Sequence, residues 1–498
     1  MRFTPPSRTV LPRTLLRLLS MVLAIALVAA ACGGDDDDAA EESDAEAVSA
    51  EEEAAEEEPA DAQADDAAEE DAADEDPAED EAEEEPTEED ATDDAAAAAL
   101  TASWRGVTED TITVGISMLN FETLVELNLS TEGWGDQQLV WQTFVDDLNA
   151  RGGINGRMVE PVFKYYSPLG STEAEAACLE LTADTETFAV LGGFLGPAEV
   201  ANTCVTGVND TILVGGAMSQ ERLDESTAPW VQGASIRERR LEVFLDLLDA
   251  DGRLQGSSSA VVGSVEQADV AALDPALLEE RGVPPVSVLE NNVPQGDIQA
   301  ENDTWQILAE RIAADGADAV LVIGSGQAAL RGIANAGLDV EVWVLEVNDL
   351  NNIGEQTPKE AADGAITITG LAEQERWDHE TIAPCREVFA AANPDVEIID
   401  PDTVAEGEER WFNPVMNYCR DLTMFELLAT AAGPDLTHDT FRAAIHETGD
   451  LVLPGQPFSS FAEDKYDSND SFRLSVFDAA ASDKGELVPL TDIMDGTP

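Results

Sequence analysis

From residue 109 the chain alternates short apolar runs with amphipathic stretches of helical period, and this rhythm constrains the fold more than any other feature. Thr111–Met118 (TITVGISM) is a β-rich run. Asp136–Arg151 carries Val140, Phe144 and Leu148 on one helical face and stops at Gly152-Gly153. Asn155-Gly156 turns into a strand over Val159–Tyr165, and Thr172 and Glu175 have capping-box spacing at the head of the next helix. Thr187–Gly192 and Ile212–Ala217 read as buried strands flanking a helix that follows Pro197. The rhythm restarts with a helix over 236–249, a strand over 259–265 and a helix running from Asp274-Pro275 to Gly282. Strand 285–289, helix 300–315, strand 318–323, helix 327–337 and strand 340–347 complete that stretch. Repeated βα units imply parallel sheets covered by helices on both faces. About ten strands predict two open sheets rather than one. Ligands of such folds sit outside the carboxyl ends of the strands.

Charge divides the rest of the chain. The 498 residues carry a formal net charge of −79. Residues 33–100 hold 34 carboxylates and no Lys or Arg, with almost nothing apolar, so this segment cannot offset its ordering entropy. It reads as a spacer, with calcium buffering or a partner-binding tail as the alternatives. The remaining body is itself acidic, with 70 carboxylates against 21 basic residues, only four of them lysine. Such a field repels phosphate backbones and excludes nucleic acid as a partner. Ahead of the acidic block, Arg2, Arg8, Arg13 and Arg17 precede a 14-residue run, Leu18–Ala31, in which only Ser20 is polar. That run is too short to span a bilayer and reads as a signal-peptide core. It ends in Val28-Ala-Ala-Ala-Cys32-Gly33, which resembles the lipobox of bacterial lipoproteins. The resemblance implies export, cleavage after residue 31, lipidation of Cys32 and anchoring to the outer face of the cytoplasmic membrane. A secreted protein cleaved after an Ala-x-Ala site, with Cys32 incidental, is the other reading.

Trp134-Gly-Asp136, followed by Val145-Asp-Asp-Leu-Asn-Ala-Arg-Gly-Gly-Ile-Asn-Gly-Arg157, resembles the opening of the branched-chain amino-acid binding proteins, type I periplasmic solute-binding proteins of ABC transporters. Leu191-Gly-Gly193 and Gly216-Ala-Met-Ser219 fall where that family has its next sheet-edge loops, and the resemblance spans residue 107 to about 480. It implies an α/β Venus flytrap of two doubly wound parallel-sheet lobes joined by three hinge crossovers. The expected division is a signal peptide at 1–31, an acidic linker at 32–106 and a binding domain at 107–498. Lobe 1 would be about 107–233 plus 370–457, and lobe 2 about 236–368 plus 461–498.

The same resemblance carries a site. Trp134 takes the place of the aromatic that packs on the ligand's aliphatic side chain. Ala217 and Ser219 take the place of the groups that hold the amino-acid head group, although Ser219 equally suits a helix N-cap. The family's serine loop matches Phe194-Leu-Gly-Pro197, where the hydroxyl is missing and Gly196 stands nearest its place. In lobe 2 a tyrosine position falls at Ser325, and the ammonium-binding carboxylate falls within Glu346–Asp349, around Asn348.

Competing chemistry is thin. Gly324-Ser-Gly326-Gln-Ala-Ala329, with Glu346 twenty residues beyond Gly326, fits a dinucleotide fingerprint. It lies outside the first βαβ unit, and close approach of a ligand accounts for its glycines equally well. His379, His438 and His446 read as surface residues, and the last two are too far apart for a simple metal pair. Cys178, Cys204, Cys385 and Cys419 form an even set, read as two disulfides. Of three connectivities, pairing 178–204 and 385–419 is chosen because each pair lies on consecutive helices. The reading is therefore a monomeric, lipid-anchored binding protein that gives a small polar solute to an ABC permease and ATPase. The solute is a branched-chain or related amino acid, or an amide. No catalytic residue, metal or cofactor is expected. An anchored sensor with a signalling partner is the alternative, and a hydrolase on the same scaffold a third.

Overall fold

The computed structural model describes residues 100–127, 133–167, 169–264, 267–293, 298–354, 357–405 and 407–498. The leader, Cys32 and nearly all of the acidic segment lie outside the described residues.

Two sheets form, each wound on both faces. In the first, β1 (Thr111–Leu119), β2 (Met158–Tyr166), β3 (Ala189–Gly192), β4 (Ile212–Gly215) and β5 (Trp230–Val231) run parallel in the order β2-β1-β3-β4-β5. On one face, Val140, Phe144 and Leu148 of the helix Gln137–Ala150 pack with Phe412, Val415 and Phe425 of the later helix Phe412–Ala431. On the other, Cys178, Leu181, Val205 and Trp230 close the core. The first of these helices begins where Asp136 accepts the Leu139 amide at 3.0 Å, and stops before Gly152 and Gly153, both at positive φ.

The second sheet contains β6 (Ser259–Ser264), β7 (Ser287–Asn291), β8 (Ala319–Ile323), β9 (Glu341–Val344) and β10 (Ile366–Thr369), all parallel in the order β7-β6-β8-β9-β10. β11 (Gly449–Asp450) and β12 (Ser460–Phe461) pair with each other beside the first body. β13 (Ser471–Asp478), β14 (Glu486–Pro489) and β15 (Met494–Asp495) then add an antiparallel edge to the second sheet, beyond β10. Every residue of β8 is buried, as a central strand covered on both faces requires. The helices Arg237–Ala250 and Ala268–Glu280 cover one side. Ile298–Asp315 and Gly326–Ala336 cover the other.

Several local expectations are corrected. The helix expected to begin at Asp274-Pro275 begins at Ala268 and carries Pro275 inside it. Thr172 is the first helical residue rather than a cap, and Ser171 at the cap position makes no side-chain capping bond. The strand expected over 340–347 ends at Val344. Pro197 leads into a 3₁₀ turn and short α and π segments rather than one regular helix. His438 is buried, not superficial, against Trp104 (ring centroids 4.8 Å apart) and Phe188. Burial pushes its pKa down to about 4.

The chain passes between the bodies over 232–236, 370–372 and 462–470. These crossovers are tied by a buried polar network. Asp467 Oδ2 accepts from the Ile236 amide and from Arg239 Nε, both at 2.8 Å. Asp470 accepts from Arg239 Nη1 at 3.0 Å and lies 3.1 Å from Lys465 Nζ. Gln232 donates its amide to Tyr466 O at 3.1 Å.

Candidate functional site

β5 and β10 leave their sheets at the carboxyl-terminal edge and run directly into crossovers, so those two edges border the hinge. In each sheet the strand order reverses at one point, between β1 and β3 in the first and between β6 and β8 in the second. Crevices open at such points.

In the first body the edge is built by backbone meeting backbone. Gly192, Gly193, Gly215 and Gly216 all have positive φ, and any side chain at Gly193 would strike Gly216. Ser117, buried in β1, donates to Gly193 O at 2.9 Å. The amides of Phe194 and Leu195 are taken by Asn202 Oδ1 (2.8 Å) and the Tyr166 hydroxyl (3.1 Å). Gly196 is exposed at the start of a three-residue turn. Trp134 lies in a loop, half-buried and stacked on Phe121 with centroids 4.2 Å apart. Two bonds pin that loop: Arg410 N donates to Gly133 O at 2.9 Å, and Gly135 N donates to Glu409 Oε2 at 2.7 Å. Ser219 serves as N-cap of the helix Gln220–Asp224, accepting the Arg222 amide at 3.3 Å. Ala217 O accepts from Arg222 Nη1 at 3.2 Å. These positions therefore lie on three neighbouring edge loops.

In the second body Ser325 is buried, in the left-handed region at φ +53°, directly after Gly324. Asn348 is exposed on the short helix Val347–Asn351. The neighbouring carboxylates are both committed. Glu346 accepts from Arg237 Nε at 3.0 Å and Arg240 Nη2 at 2.9 Å. Asp349 accepts the Gly326 amide at 2.8 Å, and burial pushes its pKa up to about 6.

Sequence reasoning missed the most polar part of this edge. Ser264 and Asn291 end adjacent strands in register, and Gln267 follows β6. Ser264 Oγ, Gln267 Oε1 and both amide atoms of Asn291 are buried with no hydrogen-bond partner among the described residues. A side chain at Gly324 would strike Ser264 and Gln267, so both border the β6/β8 crevice, with Asn291 one strand away beside Ser264. Each unmet group costs about 1–3 kcal/mol unless a polar molecule reaches it. The available signal was a hydroxyl and an amide closing the apolar runs Ser259–Ser264 and Ser287–Asn291.

Two disulfides, Cys178–Cys204 and Cys385–Cys419, brace the first body. Among the described residues no group of three His, Cys, Asp or Glu is placed to hold a metal ion. No described helix is long and apolar enough to cross a membrane.

Two doubly wound parallel sheets, linked by three crossovers at their carboxyl-terminal edges, are the architecture of the type I periplasmic solute-binding proteins, the Venus flytrap. Solved structures of that class match this chain from end to end of their own length. A solute-binding protein of an ABC transporter from Rhodopseudomonas palustris, in complex with 4-hydroxybenzoate, is 15% identical with a TM-score of 0.52; the match covers 78% of this chain and 98% of that one. A leucine-, isoleucine-, valine-, threonine- and alanine-binding protein from Brucella ovis, in a closed conformation, is 14% identical with a TM-score of 0.51, over 78% and 96%. An ABC transporter substrate-binding protein from Desulfitobacterium hafniense, in complex with leucine, is 12% identical with a TM-score of 0.50, over 76% and 100%. No family model and no curated protein matches the sequence.

Proposed function

We propose that this chain is the exported solute-binding component of an ABC importer, tethered through lipidated Cys32 and trapping a small polar solute between its two bodies. The observation that carries the reading is the set of buried, unpartnered polar atoms on Ser264, Gln267 and Asn291 at the carboxyl-terminal strand edge of a hinged two-sheet fold. A solute that meets those atoms and also touches the Trp134 loop binds the closed form better than the open one, and closure follows from that difference. The permease and ATPase then read the closed shape, and the role is stoichiometric capture rather than turnover. The solutes of the similar structures, branched-chain amino acids and hydroxybenzoate, set the first panel. The positions at Trp134, Gly196, Ala217, Ser219, Ser325 and Asn348 are proposed as the rim of the cleft, with Ser264, Gln267 and Asn291 as its polar floor.

Thermal unfolding against a panel of aliphatic amino acids, amides and small carboxylates tests this. A solute at about 100 times its Kd adds about 2.7 kcal/mol, several degrees in Tm. A Tm unmoved by every member at millimolar concentration counts against solute capture.

A further inference from the structure

Two arginines at the hinge are thinly paired for so acidic a chain. Arg376 lies on the helix Glu373–Asp378, just beyond the crossover 370–372. A Cβ at Gly455 would lie 3.5 Å from its Cδ. Arg420 projects from the helix Phe412–Ala431 against Gly233 in the crossover 232–236, where any side chain would strike its guanidinium. The segments bearing Gly233 and Gly455 touch, since Gln456 Nε2 donates to Gly233 O. Both arginines therefore sit where the crossovers converge, and both are partly accessible.

Their partners are spoken for or distant. Glu373 accepts from Arg410 at 3.1 Å, and Glu375 is held by both nitrogens of the Arg473 fork. Among the described residues Arg376 has no hydrogen bond and no ion pair to its guanidinium, and its buried Nε has no partner. Arg420 donates to Asn417 Oδ1 at 3.1 Å and keeps one long ion pair, its Nε lying 3.6 Å from Asp421 Oδ1 without a hydrogen bond. Burial, and then the charge of Arg420, lower the Arg376 pKa, against the nearby charges of Glu373 and Glu375, which raise it. Two guanidinium groups side by side repel and lose hydration. An oxyanion that accepts from both relieves each cost and suits their planar forks.

We propose that Arg376 and Arg420 bind the carboxylate of the captured solute. The inference rests on the solute-capture reading.

Calorimetric titration of the purified protein tests this with matched probes: 4-methylpentanoate, leucine and 4-methylpentanamide, then 4-hydroxybenzoate and 4-hydroxybenzamide, with sulfate as the inorganic control. At least one organic acid should bind, its amide at least tenfold more weakly. R376Q and R420Q should each weaken that acid at least tenfold. R376Q should also melt at or above the wild-type temperature without solute, because a purely structural arginine would lower it on removal. R281Q, remote from the hinge, should bind as wild type. Amides binding as tightly as acids, or acid affinity within twofold of wild type in both hinge variants, overturns the carboxylate assignment while leaving solute capture standing. Sulfate binding as tightly as any organic acid reduces the pair to an inorganic-anion site and overturns the proposal. Binding by no member of the panel overturns this inference and the solute-capture reading together.

Discussion

Asp274 is enclosed on the helix Ala268–Glu280, and neither of its carboxyl oxygens has a partner. Burial pushes its pKa up to about 7, against an unfolded value near 4. The raised value means that the group favours the folded state fully below about pH 4 and loses that contribution as pH rises through 7. Asp274→Leu should therefore stabilise the protein at pH 8 by up to about 4 kcal/mol, with the gain fading towards pH 4. Denaturant midpoints at several pH values check this, and a gain independent of pH would contradict it. His438 works in the opposite sense, since its depressed pKa costs stability as pH falls from about 6.5 towards 4. In the cleft, Trp134→Ala should weaken solute binding at least tenfold with little change in Tm, because the ring is only half-buried in a loop. Equal affinity in titration would remove Trp134 from the site. The residue scale is also where the sequence was least legible. His438 follows Thr437 and precedes Asp439, which locally reads as surface. Its burial depends on Trp104, more than 300 residues away in the chain, and no local pattern carries that contact.

Elements were legible where burial imposes a period. β1, β6 and β8 are apolar runs because parallel strands are covered on both faces, and helix Gln137–Ala150 shows its core stripe and its cap. Legibility failed where a local rule met a tertiary exception. Asp274-Pro275 resembles a helix start, since Pro suits the first turn. The preceding turn of Ala268–Glu280 survives because Val270 and Leu278 anchor the helix in the second body's core. The antiparallel edge β13–β15 was missed for a different reason: it follows a long irregular stretch and lacks the βα alternation. At this scale the Cys385–Cys419 bridge joins the helices Ala383–Ala392 and Phe412–Ala431 across 34 residues. Replacing both cysteines with serine should cost about 4 kcal/mol, mostly by releasing the unfolded chain. A midpoint unchanged by the double replacement would show that the packed helices already hold the loop closed.

For the whole molecule, the parallel two-sheet class was evident from the rhythm of the chain, whereas the hinge network was not. Lys465, Asp467 and Asp470 occur in a polar stretch that reads as exposed loop, yet all three are buried between Arg239 and the crossovers. Asp470→Asn leaves Asp467 as the one carboxylate facing both Arg239 and Lys465, and should cost about 3–5 kcal/mol. Scanning calorimetry checks it, and a Tm within a degree of wild type would show that Asp467 alone suffices. The interleaving of the two bodies has one more consequence, for the order of synthesis. The first core requires Ile382–Phe461, which emerge after five strands of the second sheet have already been made. The second sheet in turn waits for β13. A chain growing from its N-terminus thus completes neither core until nearly all of it is available. Until then it remains loose enough to be threaded through a narrow pore, and two half-built sheets must be kept from pairing with the wrong edges.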